Sequence, residues 1–263
     1  MIPQAYITEW SSHVPWRTNE QVEQDLIISR ALVEIFSDDF LSDRLAFRGG
    51  TAIHKLQLNP QPRYSEDIDL VQITNEPFGP VIDALRECLS FLGIPARKQK
   101  ENNNTLIFRF ESEFPPIQRL RLKVETNCRE HFSVLGIIKV PFNVKSSWFN
   151  GSCEITTYHL EELLGTKLRA LYQRRKGRDL YDLHKAFTLR DNLNIEHLIE
   201  CYLEYMRFSV GSVPSQKEFM DNMELKMKDS EFLGDITALL RPTEKYDQDE
   251  AYDRIKNSLL TKL

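Results

Sequence analysis

The stretch Leu45-Ala46-Phe47-Arg48-Gly49-Gly50-Thr51-Ala52 reads as a short strand that stops at a diglycine and opens a helix over residues 51–56. Further on, Arg63-Tyr64-Ser65-Glu66-Asp67-Ile68-Asp69-Leu70 enters a second strand, 67–73, whose alternation puts Asp67 and Asp69 on one face. Two carboxylates so placed repel unless a cation lies between them. Magnesium, a hard ion that takes carboxylate oxygens together with substrate phosphates, is the natural candidate. Taken alone, the acidic pair is more commonly a solvated strand end with a chance pair. The Gly49-Gly50-Thr51 turn, with exposed amides and a helix start, suits a phosphate, and alone it is more commonly a plain strand-to-helix turn needing positive φ. The two together, with strand character at both ends, point to metal-assisted phosphoryl or nucleotidyl transfer.

Working outward, Thr18 or Asn19 caps a helix to about Phe36. Residues 80–92 read as an amphipathic helix, and 94–99, 105–111 and 119–127 as strands, with one or two more between 134 and 155. Helices are expected at 158–174, 178–189, 195–208, 215–227 and 244–260. The expected fold class is therefore α+β, with an α+β domain over 1–157 and a helical domain over 158–263.

A metal-assisted site of this kind usually takes another acid from a neighbouring strand. Glu125, on the polar face of the strand 119–127, is the candidate, with pairing to Arg121 or Lys123 as its structural alternative. Glu111 and Glu113 are weaker rivals. Lys167 projects from within the apolar stripe Leu160, Leu163, Leu164, Leu168 and Leu171, so it must snorkel, lose its proton or meet an anion. A nucleoside triphosphate is one such anion, and an ion pair with Asp179 or Asp182 is the structural alternative. Arg174, seven residues on, lies near the same face. The basic segment from Lys167 to Arg178 is the expected place for phosphate or RNA contacts, or else a solvated turn between helices.

Composition narrows the class. With 263 residues, 41% hydrophobic and 28% charged, and only 10 Gly and 12 Pro, the chain can bury a sizeable core and is neither collagen-like nor wholly disordered. No apolar run approaches the ~20 residues of a membrane helix, and the N-terminus lacks a leader pattern, so a cytoplasmic location is expected. Cys88, Cys128, Cys153 and Cys201 form no CxxC pair, which argues against a zinc site or a disulfide scaffold. The net charge of −5 argues against indiscriminate coating of nucleic acid, but positive charge is concentrated in mid-chain. Residues 160–190 carry eight Lys/Arg against four Asp/Glu, and residues 191–263 carry nine against fifteen. His54, His131 and His184 read as surface or packing residues. No GxSxG, Walker loop or dinucleotide fingerprint is present.

The ordered set Phe47-Arg48-Gly49-Gly50-Thr51-Ala52, Arg63 to Leu70, Lys167-Leu168-Arg169-Ala170-Leu171 and Arg178-Asp179-Leu180-Tyr181-Asp182-Leu183 resembles the AbiEii/AbiGii toxins. These are nucleotidyltransferase-like proteins of type IV toxin–antitoxin and abortive-infection systems, related to the MenT toxins. The resemblance implies a polymerase-β-like nucleotidyltransferase sheet with a helical C-terminal half that completes the cleft. It implies that Gly49, Gly50 and Thr51 hold the triphosphate, that Asp67 and Asp69 hold magnesium, with two ions plausible, that Lys167 binds phosphate and that Asp179 is a further active-site acid. Arg63 and Ser65 take supporting or nucleotide-contacting roles. Gly50 stands where the broader superfamily often has serine, and sixteen residues separate it from Asp67.

The expected reaction moves a nucleoside monophosphate from an NTP to an acceptor, by family analogy a tRNA 3′ end, in a toxin restrained by a cognate antitoxin. A non-catalytic nucleotide or RNA sensor of the same fold, and NMP transfer onto a protein, are the alternatives. Labelled NTP, magnesium and tRNA separate them by which molecule carries the label.

Overall fold

The computed structural model describes residues 2–58 and 60–263. The chain divides into two compact units, Met1–Phe132 with Ile137–Tyr158, and Ser133–Gly136 with His159–Leu263.

The first unit holds helices α1 (Gln4–Trp10), α2 (Asn19–Ser37), α3 (Asp39–Ser42), α4 (Gly49–Ala52) and α5 (Gly79–Cys88). Its strands are β1 (Leu45–Arg48), β2 (Asp67–Gln72), β3 (Ala96–Lys100), β4 (Asn103–Glu111), β5 (Arg119–Asn127), β6 (Ile137–Lys145) and β7 (Asn150–Tyr158). They form one mixed sheet in the order β3-β4-β5-β2-β1-β7-β6. The acid-bearing β2 is central, antiparallel to β1 and parallel to β5. Period-two alternation makes one face of β5 apolar. Leu122 and Val124 are buried, whereas Arg119 and Arg121 of the other face are exposed.

Helix α2 is apolar on nearly every side, with Val22, Leu26, Ile27, Ile28, Leu32, Val33, Ile35 and Phe36 all buried, as a helix embedded in a core must be. It packs on β5, β6 and β7 and on α1 and α5. Thr18 caps it by accepting from the Gln21 amide. Two acids on it are buried, Glu23 and Asp25; Asp25 meets Lys55 Nζ at 2.9 Å and the Trp10 indole at 3.1 Å, and Glu23 accepts from the Glu113 amide at 3.0 Å. A buried charge is tolerable only with such partners.

In the second unit α6 (Leu160–Gln173), α7 (Gly177–Leu189), α8 (Ile195–Val210), α9 (Gln216–Lys226), α10 (Ser230–Gly234) and α11 (Gln248–Ser258) pack together, α6 against α7 and α8, and α7 against α11. The segment Ser133–Gly136 belongs here because buried Glu162 accepts from the amides of Val134 at 2.9 Å and Leu135 at 3.0 Å and from the Tyr205 hydroxyl at 2.8 Å. Buried Lys226 donates to the carbonyls of Leu171 and Tyr172. It thereby closes the last turn of α6, whose carbonyls have no partner within the helix.

Several boundaries differ from the sequence reading. The helix expected at 51–56 starts at Gly49 and passes at Ile53–Gln57 into π-helix. The one expected at 80–92 ends at Cys88 and gives way to a 3-10 turn over Ser90–Leu92. The last begins at Gln248, capped by Asp247, instead of at 244. Helices α1, α3 and α10 are additional, each short enough to depend on packing instead of an amphipathic period.

Candidate active site

In the first unit, β1 runs into the diglycine and β2 lies beside it, with Arg48 opposite Asp69. Gly49 has φ +80°, and a Cβ there would lie 2.8 Å from Asp69 Cγ and overlap its carboxylate. Only glycine meets both demands. A Cβ at Gly50 would come within 2.5 Å of Arg63 Nη2. Arg63 itself is buried and donates through Nη1 to the Tyr64 carbonyl at 2.8 Å, so it supports the turn from beneath. Thr51 donates to the Asp67 carbonyl at 2.5 Å, and its Oγ1 lies 2.8 Å from Ser65 Oγ. The turn and the acidic strand are thus one hydrogen-bonded unit, held from behind by the bond of Lys55 in the π-helical segment to Asp25 on α2.

The acidic face continues across the sheet. In register, Asp67 lies beside Lys123 and Asp69 beside Glu125. Lys123 Nζ is 3.2 Å from Glu125 Oε2 and 4.0 Å from Asp67 Oδ2. Asn103 donates to the other oxygen of Glu125 at 3.2 Å. Burial, then the charge of Asp69, pushes the Asp67 carboxyl up to about 6, against a lowering by Lys123. Burial pulls the Lys123 ammonium down, but Asp67 and Glu125 outweigh it and the net shift is upward. The sequence reading weighed Lys123 only as a pairing partner of Glu125. Its position two residues before Glu125, on the same strand face, was the available signal that it belongs to the acidic site. Among the described residues no three His, Cys, Asp or Glu side chains converge as a ready cage for a metal ion. What the site offers a cation is the pair Asp67 and Asp69 on one strand face.

In the second unit Lys167 is 6% exposed and Asp179 and Asp182 are 0%. Lys167 Nζ lies 3.1 Å from Asp179 and 2.9 Å from Asp182. Arg174 grips Asp179 through two bonds, Nε to Oδ2 at 2.6 Å and Nη2 to Oδ1 at 2.8 Å. Burial raises the Asp179 carboxyl, but Lys167 and Arg174 overcome it and the net shift is downward. This is the ion-paired alternative for Lys167, and it joins α6 to α7. The neighbouring cations are also partnered. Arg175 meets Asp229 at 3.2 Å, Lys176 meets Glu231 at 3.2 Å, and Arg178 forms a fork on Asp235. Glu111, a weaker candidate, is exposed at the end of β4, opposite Arg119. The Glu113 amide donates to Glu23 at 3.0 Å.

The glycine turn, the paired aspartates and the mixed sheet define a nucleotidyltransferase fold. MenT4, a nucleotidyltransferase toxin from Mycobacterium tuberculosis H37Rv, superposes with a TM-score of 0.65 at 16% identity, covering 100% of this chain and 91% of that one. A protein from H. pylori assigned as a nucleotidyltransferase superposes with a TM-score of 0.53 at 17% identity, over 89% of this chain and 91% of that one. The family model for the nucleotidyl transferase AbiEii toxin of type IV toxin–antitoxin systems matches residues 30–254. The chain belongs to that family. No curated protein gives a significant match. No helix among the described residues is long and apolar enough to cross a membrane.

Proposed function

We propose that this chain transfers a nucleoside monophosphate from an NTP to the 3′ end of an RNA, in all expectation of the family a tRNA, releasing pyrophosphate, and that a cognate antitoxin restrains it. The observation that carries the reading is the close approach of Gly49 to the Asp69 carboxylate, which seats the acidic pair against the glycine turn.

Asp67 and Asp69 would hold magnesium. The bound ion would supply charge neutralisation at the triphosphate and ease ionisation of the attacking hydroxyl. The amides that open α4 would face phosphate oxygens, since the first N–H groups of a helix have no partner within it. Thr51 and Ser65 fix the turn against β2, so positioning, the main catalytic contribution in phosphoryl transfer, is built into the backbone. Glu125 acts on the same face through Lys123. Lys167, Arg174 and Asp179 form the second group of the family pattern, in which Asp179 holds buried Lys167 and half-exposed Arg174 in place and Arg174 would meet phosphate charge. Two features support this reading: the family membership, and the burial of Asp179 against both cations.

Incubation with α-labelled NTPs, magnesium and total tRNA tests it. Label should pass to RNA, and Asp67→Asn and Asp69→Asn should each reduce transfer by at least a hundredfold while the protein remains folded. Transfer at the wild-type rate by either variant overturns the site, and label on protein instead of RNA overturns the acceptor.

A further inference from the structure

The face of the sheet that carries Asp67 and Asp69 continues along β3, β4 and β5 into a set of exposed cations. Hydrogen-bond register fixes which side chains share that face, because residues directly opposite on neighbouring strands point the same way. From Asp69 the row runs through Glu125 and Thr105 to Lys98, and from Asp67 through Lys123 and Ile107 to Ala96. Steps of two along each strand then add Arg121 and Arg119 on β5, Arg109 and Glu111 on β4 and Lys100 on β3; Glu111 lies opposite Arg119 at the far end, and Thr105 and Ile107 within the rows are buried. Arg109 stands directly opposite Arg121.

Lys98, Lys100, Arg109, Arg119 and Arg121 are all exposed. None of the five forms an ion pair among the described residues, whereas the ion pairs on this face belong to Lys123. The contrast with the second unit is informative. There the sequence-dense basic segment from Lys167 to Arg178 is already matched by Asp179, Asp229, Glu231 and Asp235. Placing Arg109 opposite Arg121 without a carboxylate between them costs self-repulsion. That cost is relieved by a bound polyanion.

We infer that this face of β3, β4 and β5 is the track on which the acceptor RNA lies, its phosphates on Lys98, Lys100, Arg109 and Arg119 and its end directed by Arg121 towards Asp67 and Asp69. Strand spacing makes the track about 14 Å across from β2 to β3, and the run from Arg119 to Glu125 adds about 20 Å along the strand. A few nucleotides span those lengths. The exposed residues of the track include no aromatic ring on which a base could stack, so the contacts are to phosphate and read no sequence. The inference rests on the proposed RNA acceptor, but it makes its own prediction about binding.

Fluorescein-labelled bulk tRNA, titrated without NTP or divalent metal at rising potassium chloride, tests it. The variant Lys98→Gln/Lys100→Gln/Arg109→Gln/Arg119→Gln should weaken binding at least tenfold at low salt. It should also make the slope of log K against log salt shallower by about 3, since each phosphate contact contributes roughly 0.7 to 0.9. Lys217→Gln/Lys228→Gln, two exposed lysines of the second unit, should change neither. Under transfer conditions the four-site variant should raise the KM for tRNA and leave kcat within about twofold. An unchanged slope, an equal loss in the second-unit control, or competition by polyglutamate as effective as by RNA overturns the inference. The two readings fail separately. Wild-type protein that binds tRNA through this face yet transfers no label sinks the enzymatic reading alone, and transfer with unaltered KM in the four-site variant sinks only the track.

Discussion

At the residue scale, the site is governed by where charge is compensated and where it is not. Asp67 is raised to about 6 by burial first and by Asp69 second. A carboxyl whose folded value exceeds its unfolded one binds more protons in the native state, so its contribution to stability is lost as pH rises from about 4 through 6. Asp67→Asn should therefore stabilise the metal-free protein at pH 7.5 relative to wild type and not at pH 3.5, below the unfolded value. The gain is on the order of 1 kcal/mol once screening of this partly exposed group is allowed for, and unfolding curves at the two pH values will show it. The same titration would make the proposed cation binding proton-linked. Thermal stabilisation by manganese should be weak at pH 5 and complete by pH 7.5. Lys167 is the opposite case, a cation already satisfied by two buried aspartates. Lys167→Met should cost about 3 kcal/mol, the usual penalty for stranding a buried charge, and Lys167→Arg distinctly less. Measured Tm must therefore accompany any assay of these variants.

At the scale of elements, the turn between β1 and α4 does several tasks with few atoms. Gly49 supplies a positive φ and the room that Asp69 occupies, and Gly50 supplies the room for Arg63. Gly49→Ala should displace Asp69, cost roughly 1–2 kcal/mol through backbone strain, and lower transfer by much more than that loss of stability explains. Comparing Tm with kcat separates the two effects. The π-helical segment after the turn brings Lys55 to Asp25, so the glycine-turn side of the site is fastened to α2. Sequence periodicity located the strands 67–73, 105–111 and 119–127 well because each has an apolar face. It missed α1, α3 and α10, which are too short to show a period, and it missed the π register because that register depends on what the helix must reach.

At the scale of the whole molecule, each unit closes its own core with apolar side chains and protein hydrogen bonds. No three-residue metal cluster exists among the described residues, and the four cysteines are free. Chelation should therefore abolish transfer while leaving Tm within about 1 °C, and reductant should change neither; a large fall in Tm with chelator would show that a cation helps to hold the fold. The sequence by itself determined the local chemistry: a glycine turn, two aspartates on one face, a lysine inside an apolar stripe, and their order along the chain, which carries the family. These follow from neighbours within a few residues, where strand and helix periods govern which way a side chain points. Only the tertiary structure decided which cations are paired. The basic run 174–178 looked open in sequence, and its Arg175, Lys176 and Arg178 are matched by acids more than fifty residues on, at Asp229, Glu231 and Asp235. Arg109 and Arg121, unremarkable in sequence, stand opposite each other across a strand pair. Pairing between charges depends on distance in space, and strand order and helix packing set that distance in ways no local pattern encodes.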